Sequence, residues 1–595
     1  MNQSADGMKS YEKDKRTELH MLTNMSDYKG ISDIGYILEK AGLRQDICAL
    51  AITDINSVQA YPDAAYFRDF QNIRILYGLT VAVASRERET PCVVIARNPQ
   101  GKDNIFRLVT EAYKPEYYWK KSVSLEYLLS HREGVYIGAS CEGEITAAVL
   151  ENKPDYEIMK LMSVYDYIEV QPCENYSLFC DIPDSKELVR KIVDLAEKAG
   201  KPVAAVSNAA YVDLCEDNRF CYEAVTGLGP GAKSDTRQLY MRSTAEMLNE
   251  FSFLGAEKAI EIVLENPNAI AAGCKDIEPV TEKRYPLHIP NEEEKLKKIC
   301  KTAAAAQYGD ELPDTVRERL ELELESISRN GYAGLYLIGK LIADKSKEMG
   351  YTTGIRAGGG GSLTTYFCGI GDVNPLPAHY YCPECHHFEL FGDSPKNYWY
   401  TGYDLADKNC PVCGTKLRSD GFNIPFETFA GLRFDREPDI DISVAREIRS
   451  GIVKYLADYF GEENVVQAGE VVRINSRIVF QKLYAYDRKT EKGLFRSHHD
   501  KKTEADNNGR RNRVFRTIAA VKRGMDAVPG KVFVIPGGTD MNEITPVEYV
   551  KTEEGNAKIT HLESIYLYGN LVSFDIIGDQ IPGMLKALED KTGFR

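Results

Sequence analysis

The 595-residue sequence contains no stretch of eighteen uninterrupted apolar residues, and its opening, Met1 to Arg16, is polar and charged with no apolar core. The first absence argues against a membrane-spanning helix and the second against a secretory leader, so a cytoplasmic location with no membrane partner is expected. A disulfide framework is lacking as well: fourteen cysteines in so long a chain, mostly scattered singly, read as reduced thiols plus one metal site. There is no overall basic excess either, and a net charge of −15 argues against general nucleic-acid binding. No internal repeat is evident. With 43% hydrophobic and 27% charged residues, nothing suggests disorder on a large scale. The length is too great for one ordinary core, so two to four domains are expected.

Charge is unevenly placed. From Arg473 to Arg523 there are fifteen Lys or Arg against five Asp or Glu, so this segment carries +10 and the remainder −25. Arg473, Arg477, Arg510, Arg511 and Arg513 are interleaved with Phe480, Tyr484, Tyr486, Phe495 and Phe515. Cations with aromatics suit a surface that tracks phosphates and stacks bases. A solvated insertion around Lys501 to Arg513 is the alternative.

Three patterns carry chemistry. Pro438-Asp439-Ile440-Asp441-Ile442 reads as a strand whose alternate residues share a face, so Asp439 and Asp441 project together while the isoleucines enter the core. Asp575 interrupts the apolar run Leu571 to Ile577, where a buried charge is costly without compensation. Three converging carboxylates suit divalent cations and phosphoryl or nucleotidyl transfer. The glycine-rich stretch Gly354 to Ser362, with Arg356, permits close approach of backbone to phosphate or is simply a flexible loop. Cys382-Pro383-Glu384-Cys385 and Cys410-Pro411-Val412-Cys413 supply four thiolates for a closed tetrahedral zinc site of structural type, with His386 and His387 as neighbours.

Around these motifs, Thr17 to about Cys274 alternates short strands with helices such as Ser185 to Ala199, stopped at Gly200, as in an α/β domain. Asn266-Pro267 and Pro279 to Pro290 read as linker. Glu292 to Lys347 reads as helical with a break at Leu312-Pro313-Asp314.

In this order the motifs resemble the PolC-type catalytic subunit of bacterial DNA polymerase III. The matching text includes Glu18-Leu19-His20, Thr23 to Ser26, Ile75 to Leu79, Glu246-Met247-Leu248, Phe251 to Gly255, Val373 to Pro377 and Ile424 to Phe429. The resemblance implies a multidomain α/β chain: a polar tail (1–16), a degenerate barrel-like PHP (polymerase and histidinol phosphatase) domain (17–275) and a first part of the palm with the glycine-rich loop (276–381). Zinc knuckles (382–413), palm strands with Asp-x-Asp (414–445), a helical basic thumb-like segment (446–530) and a last palm part with the third Asp (531–595) follow. It implies Asp439, Asp441 and Asp575 as ligands of two Mg²⁺, one structural Zn²⁺, and Gly354, Arg356, Gly360 and Ser362 at the nucleotide. DNA primer–template and deoxynucleotides are the implied partners, and nucleotidyl transfer in DNA replication the implied function.

The sequence also departs from the family. In the PHP region His20, Asp54, Cys141 and Asn208 stand at matching positions, but Leu22, Ile55, Thr80, Gln171 and Ala210 replace residues that are commonly His or Glu. Nine histidines in all, only His20 of them at this site, leave a phosphoesterase centre unexpected. Ile355 and Ala357 stand where the family's phosphate loop has Ser and Gly, and Gly358 where it has a second Ser. No exonuclease motif interrupts Thr80 to Pro91, and the chain stops soon after Asp575, without the family's fingers. These departures favour a rival, non-enzymatic reading: a catalytically impaired paralogue that binds DNA or replisome proteins, or a polymerase half completed by a second chain.

Overall fold

A computed structural model describes residues 15–593 apart from 69, 71–72, 85–87, 116–120, 179–183, 228–236, 392–400, 491–500 and 553–554; at 357, 486–490 and 501–508 it describes backbone only. Phe495, the Tyr486 side chain and most of the polar tail therefore lie outside the described residues.

Among the described residues, the first unit is built on eight strands: β1 (Arg16–Met21), β2 (Ile47–Ile52), β3 (Arg74–Ala84), β4 (Glu89–Ala96), β5 (Ser122–Ser124), β6 (Val135–Ala139), β7 (Tyr167–Val170) and β8 (Val203–Ala205). They hydrogen-bond in the order β1-β2-β3-β4-β6-β7-β8, with β5 paired to β3. β1 to β3 run parallel, β4 is antiparallel to both neighbours, and β6 to β8 are again parallel. The two edges meet just beyond β1 and β8: Leu22 N–H donates to Ala209 O at 2.8 Å and Ala209 N–H to His20 O at 3.0 Å. This nearly closes the sheet into a barrel. Apolar runs such as Ile47-Cys48-Ala49-Leu50-Ala51-Ile52 follow from burial on both faces. The expected helix appears as Ser185–Lys198, capped by Asp184, which accepts from Lys186 N–H at 2.9 Å. Gly200, at φ 65°, ends it.

The second unit opens with three helices, Glu292–Tyr308, Asp314–Arg329 and Ala333–Glu348. The break at Pro313 was expected; a second follows Arg329, where Gly331 takes φ 72°. Asn266-Pro267, read as linker, instead lies inside a continuous helical run formed by Ala256–Ile260, Glu261–Glu265 and Asn266–Ala272, whose middle segment is wound as a π-helix just before the proline, which has no N–H to give.

Among the described residues, ten more strands follow: β9 (Gly354–Ile355), β10 (His379–Tyr381), β11 (Phe388–Leu390), β12 (Arg418–Asp420), β13 (Asp441–Ala445), β14 (Val465–Arg473), β15 (Lys522–Val534), β16 (Val547–Thr552), β17 (Gly555–Glu563) and β18 (Val572–Asp579). Seven make one mixed sheet in the order β16-β17-β14-β15-β18-β13-β9, while β11-β10-β12 form a small sheet beside the cysteines. One face of the large sheet buries Ile442, Val532, Phe574 and Ile576 against the helices.

The basic segment is redefined by this topology. β14 and most of β15 fall within 446–530 but are central strands of the large sheet, so the stretch taken as thumb-like shrinks to the helical hairpin Ser476–Thr490 and Lys501–Ala519 inserted between them. Val479, Leu483, Val514 and Ile518 of the hairpin pack against Tyr211, Tyr222 and Val225 of the first unit.

The two units share a core. Val466, Phe533, Ile544 and Leu562 of the second join the apolar interior of the first. Around that joint, Lys522, fully buried on β15, lies 3.1 Å from Asp27, which Lys121 contacts at 2.7 Å. Burial pushes the Asp27 carboxyl up, but Lys522 and Lys121 outweigh it and bring it down to about 2. The last helix, Gln580–Thr592, buries only Pro582 and turns Ile581, Met584, Leu585 and Leu588 to solvent, spaced i, i+3, i+4, i+7.

Candidate active site

Asp441 opens β13 and Asp575 lies on β18; the two strands are parallel and these two residues are paired in register. Asp439 precedes β13 on the same face as Asp441, and one carboxylate oxygen from each of the three lies within 4.8 Å of the others. Asp441 is pushed up to about 6, by partial burial first and then by the charges of Asp439 and Asp575. Lys531, opposite Asp575 on β15, approaches it at 3.5 Å. Three mutually repelling oxygen ligands with one loosely placed ammonium fit a divalent cation.

Arg356 follows β9 and extends the same face. Its Nε donates to Ser443 Oγ at 2.9 Å and its terminal nitrogen to Asp579 at 2.6 Å, while its backbone N–H donates to Asp441 O. Ser443 and Asp579 lie two and four residues beyond Asp441 and Asp575, so the period of two places the arginine beside the carboxylates.

The other residues expected at the nucleotide do different work. Ala357–Gly361 is a tight 3₁₀ turn packed on the short helix Glu427–Ala430, and the Ile355 side chain leaves no room for a Cβ at Gly359. Gly354 pairs with Ser443, and Gly360 sits against Val373. Ser362 is a correction: it is fully buried, caps the helix Leu363–Phe367 and donates to Glu323 at 2.9 Å, so its hydroxyl is committed within the fold.

The four knuckle cysteines converge, with Sγ atoms of Cys382 and Cys413 3.4 Å apart and those of Cys385 and Cys410 3.5 Å apart. The N–H groups of Cys385 and Val412 donate to Cys382 and Cys410 sulfur, and hydrogen bonding by Thr415 holds the Cys413 thiol down at about 6. This donor set suits a soft divalent cation. His386 is not among the converging groups; its Nδ1 meets Gln307 O at 3.2 Å.

Of the arginines expected at nucleic acid, Arg473, Arg477 and Arg513 are exposed and Arg511 is half-buried. Arg510 is a correction: it donates to Asp217 at 2.6 Å and to Glu216 at 3.2 Å on the helix Glu216–Thr226, so it ties the hairpin to the first unit.

In the first unit, His20, Cys141 and Glu169 bring ligand atoms within 4.8 Å of one another, and His20 Nδ1 lies 2.8 Å from Glu169. Glu169 was missed, although a glutamate inside the strand Tyr167–Val170 is the same signal that singled out Asp575. Asp54 lies apart, accepting from Thr23 N–H and Oγ1 at 2.6 Å each; burial pushes it up to about 6 although the Thr23 bonds oppose this. Asn208, at φ 49°, donates from Nδ2 to Glu142 at 2.8 Å and to Gln171 at 2.9 Å. Arg237 also bonds Glu142, and Arg16 pairs with Glu18 at 2.8 Å with both fully buried. Leu22, Ile55 and Ala210 offer no ligand atom, and a guanidinium occupies Glu142, so these residues do not fit the two- or three-metal centre implied for an active PHP domain.

Residues 18–172 match the PHP domain family, and residues 294–578 match the family described as the bacterial DNA polymerase III alpha NTPase domain. The chain is 34% identical over 524 residues to "DNA polymerase III PolC-type" of Halalkalibacterium halodurans, an alignment covering 85% of this chain and 35% of that protein. The chain belongs to the PolC-type DNA polymerase III family. The PolC-type polymerase of Bacillus subtilis is likewise 34% identical over 521 residues (85% of this chain, 35% of that protein). That of Thermotoga maritima is 35% identical over 510 residues (84% and 36%). The chain spans about a third of the length of these curated relatives. Among the described residues, no helix is long and apolar enough to cross a membrane.

Proposed function

We infer that the face formed by Asp439, Asp441 and Asp575 carries out DNA-templated nucleotidyl transfer in replication. The observation that carries this reading is the in-register pairing of Asp441 with Asp575 on parallel strands, with Asp439 alongside. A primer 3′-hydroxyl would lose its proton and form a bond to the α-phosphorus of a deoxynucleotide, while the bond to pyrophosphate breaks. Two Mg²⁺ ions, when bound, supply the Lewis acidity that activates the hydroxyl and neutralises the leaving group. The three aspartates would hold them. Arg356, 51% exposed on its side chain and anchored by Ser443 and Asp579, keeps further N–H donors for the triphosphate.

The cysteine cluster would hold one structural Zn²⁺, fastening β10 and its small sheet beside the helix Glu292–Tyr308. The exposed arginines Arg473, Arg477 and Arg513 on and beside the hairpin would carry primer–template DNA. A cytoplasmic location accords with this chemistry. DNA and proteins of the replication machinery are the proposed partners.

Single-turnover primer extension at high protein and nucleotide concentration tests the reading. Extension that vanishes in Asp439→Asn supports it. Extension that survives Asp439→Asn and Asp575→Asn together would place the chemistry elsewhere.

A further inference from the structure

The PHP-type cleft poses a charge problem that the polymerase reading leaves unanswered. Glu18, Glu142 and Glu169 crowd around His20 at the seam where β1 meets the end of β8; Glu18 and Glu169 are fully buried and Glu142 is partly buried, its side chain 25% exposed. Uncompensated carboxylates in such a place are costly. Each has a partner from the chain itself: Arg16 for Glu18, His20 for Glu169 and Arg237 for Glu142. Arg237 is the partner that matters for ligation. Its side chain is only 8% exposed, it comes from 95 residues beyond Glu142, and it lies close enough to Cys141 to act on the thiol electrostatically. The Asn208 amide adds two donors aimed at Glu142 and Gln171. A cation needs acceptors, and here donors from Arg237 and Asn208 already use the nearest ones.

We propose that Arg237 is a built-in counter-ion for this cleft: it fills the electrostatic place of a divalent cation, keeps such ions out, and masks a latent site made of His20, Cys141, Glu169 and Glu142. With the arginine neutralised, the partly buried Glu142 is left without this cationic partner beside a His–Cys–Glu cluster whose ligand atoms lie within 4.8 Å, and a transition metal becomes the group that best satisfies all four.

The test uses the full chain with its cysteine knuckles zinc-loaded and with Asp439→Asn and Asp575→Asn removing the palm site. Mn²⁺ is the probe, followed by electron paramagnetic resonance and by the thermal midpoint. The parent with Arg237 should show no further specific Mn²⁺ site. Arg237→Gln should gain one, with binding at least tenfold tighter and a midpoint raised by Mn²⁺; Arg237→Lys, which keeps the charge, should not. Adding His20→Ala to Arg237→Gln should abolish the gain. A parent that binds Mn²⁺ in a His20-dependent way would overturn the proposal. So would an Arg237→Gln chain that gains no site, or that remains unfolded at every Mn²⁺ concentration.

Discussion

Cation binding proposed at Asp439, Asp441 and Asp575 should depend on pH with a midpoint near 6, well above that of an ordinary aspartate. The perturbation is proton competition at Asp441, which partial burial, Asp439 and Asp575 push up to about 6. A carboxylate ligates only when deprotonated. With one controlling proton, affinity at pH 5 should be about tenfold weaker than at pH 7 and nearly flat from 7 to 8, since each unit below the midpoint costs a factor of about ten. Mn²⁺ titrations from pH 5 to 8 at fixed ionic strength measure this directly, with the zinc-loaded native chain compared against Asp439→Asn. The variant removes one repelling charge, so its midpoint should move toward the usual aspartate range, while its plateau affinity falls because a ligand is gone. A native affinity independent of pH between 5 and 8 would refute the argument, as would a variant midpoint equal to the native one.

The remaining predictions concern the rest of the molecule. Elemental analysis after dialysis should find one tightly held zinc per chain, lost in Cys382→Ser, because the four thiolates form a closed set. Binding to primer–template should fall as salt rises, and neutralising Arg473, Arg477 and Arg513 should flatten the dependence by about one unit of log–log slope each. Arg510→Gln should leave that slope alone and instead lower the thermal midpoint, since its partners are Glu216 and Asp217. For Asp27 the folded carboxyl lies below its unfolded value, so its contribution is full above about pH 4 and is lost as pH falls through about 2. Urea unfolding should therefore put Asp27→Asn about 2 kcal/mol below the native chain at pH 7, with the gap closing as pH approaches 2.

Sequence by itself determined what depends on short spacings. Asp439 and Asp441 share a face because alternation along an extended chain is local, and Asp575 is conspicuous as a charge within an apolar run. Two Cys-x-x-Cys knuckles carry their chemistry in the spacing, and the breaks at Pro313 and Gly200 are backbone preferences of single residues. Tertiary structure alone decided which of these groups meet. Strand order made β14 and β15 central strands of the large sheet where a basic segment had been read as thumb, because strand pairing is chosen among distant segments by burial of their apolar faces. Packing of the hairpin against the first unit took Arg510 out of the cationic surface and gave it to Glu216 and Asp217. Burial converted Ser362 from a phosphate donor into a cap bound to Glu323, and the nearly closed barrel brought Arg237 onto Glu142. These pairings join residues 39 to 294 positions apart, a separation at which local spacing carries no information and the free energy of desolvating each charge selects its partner.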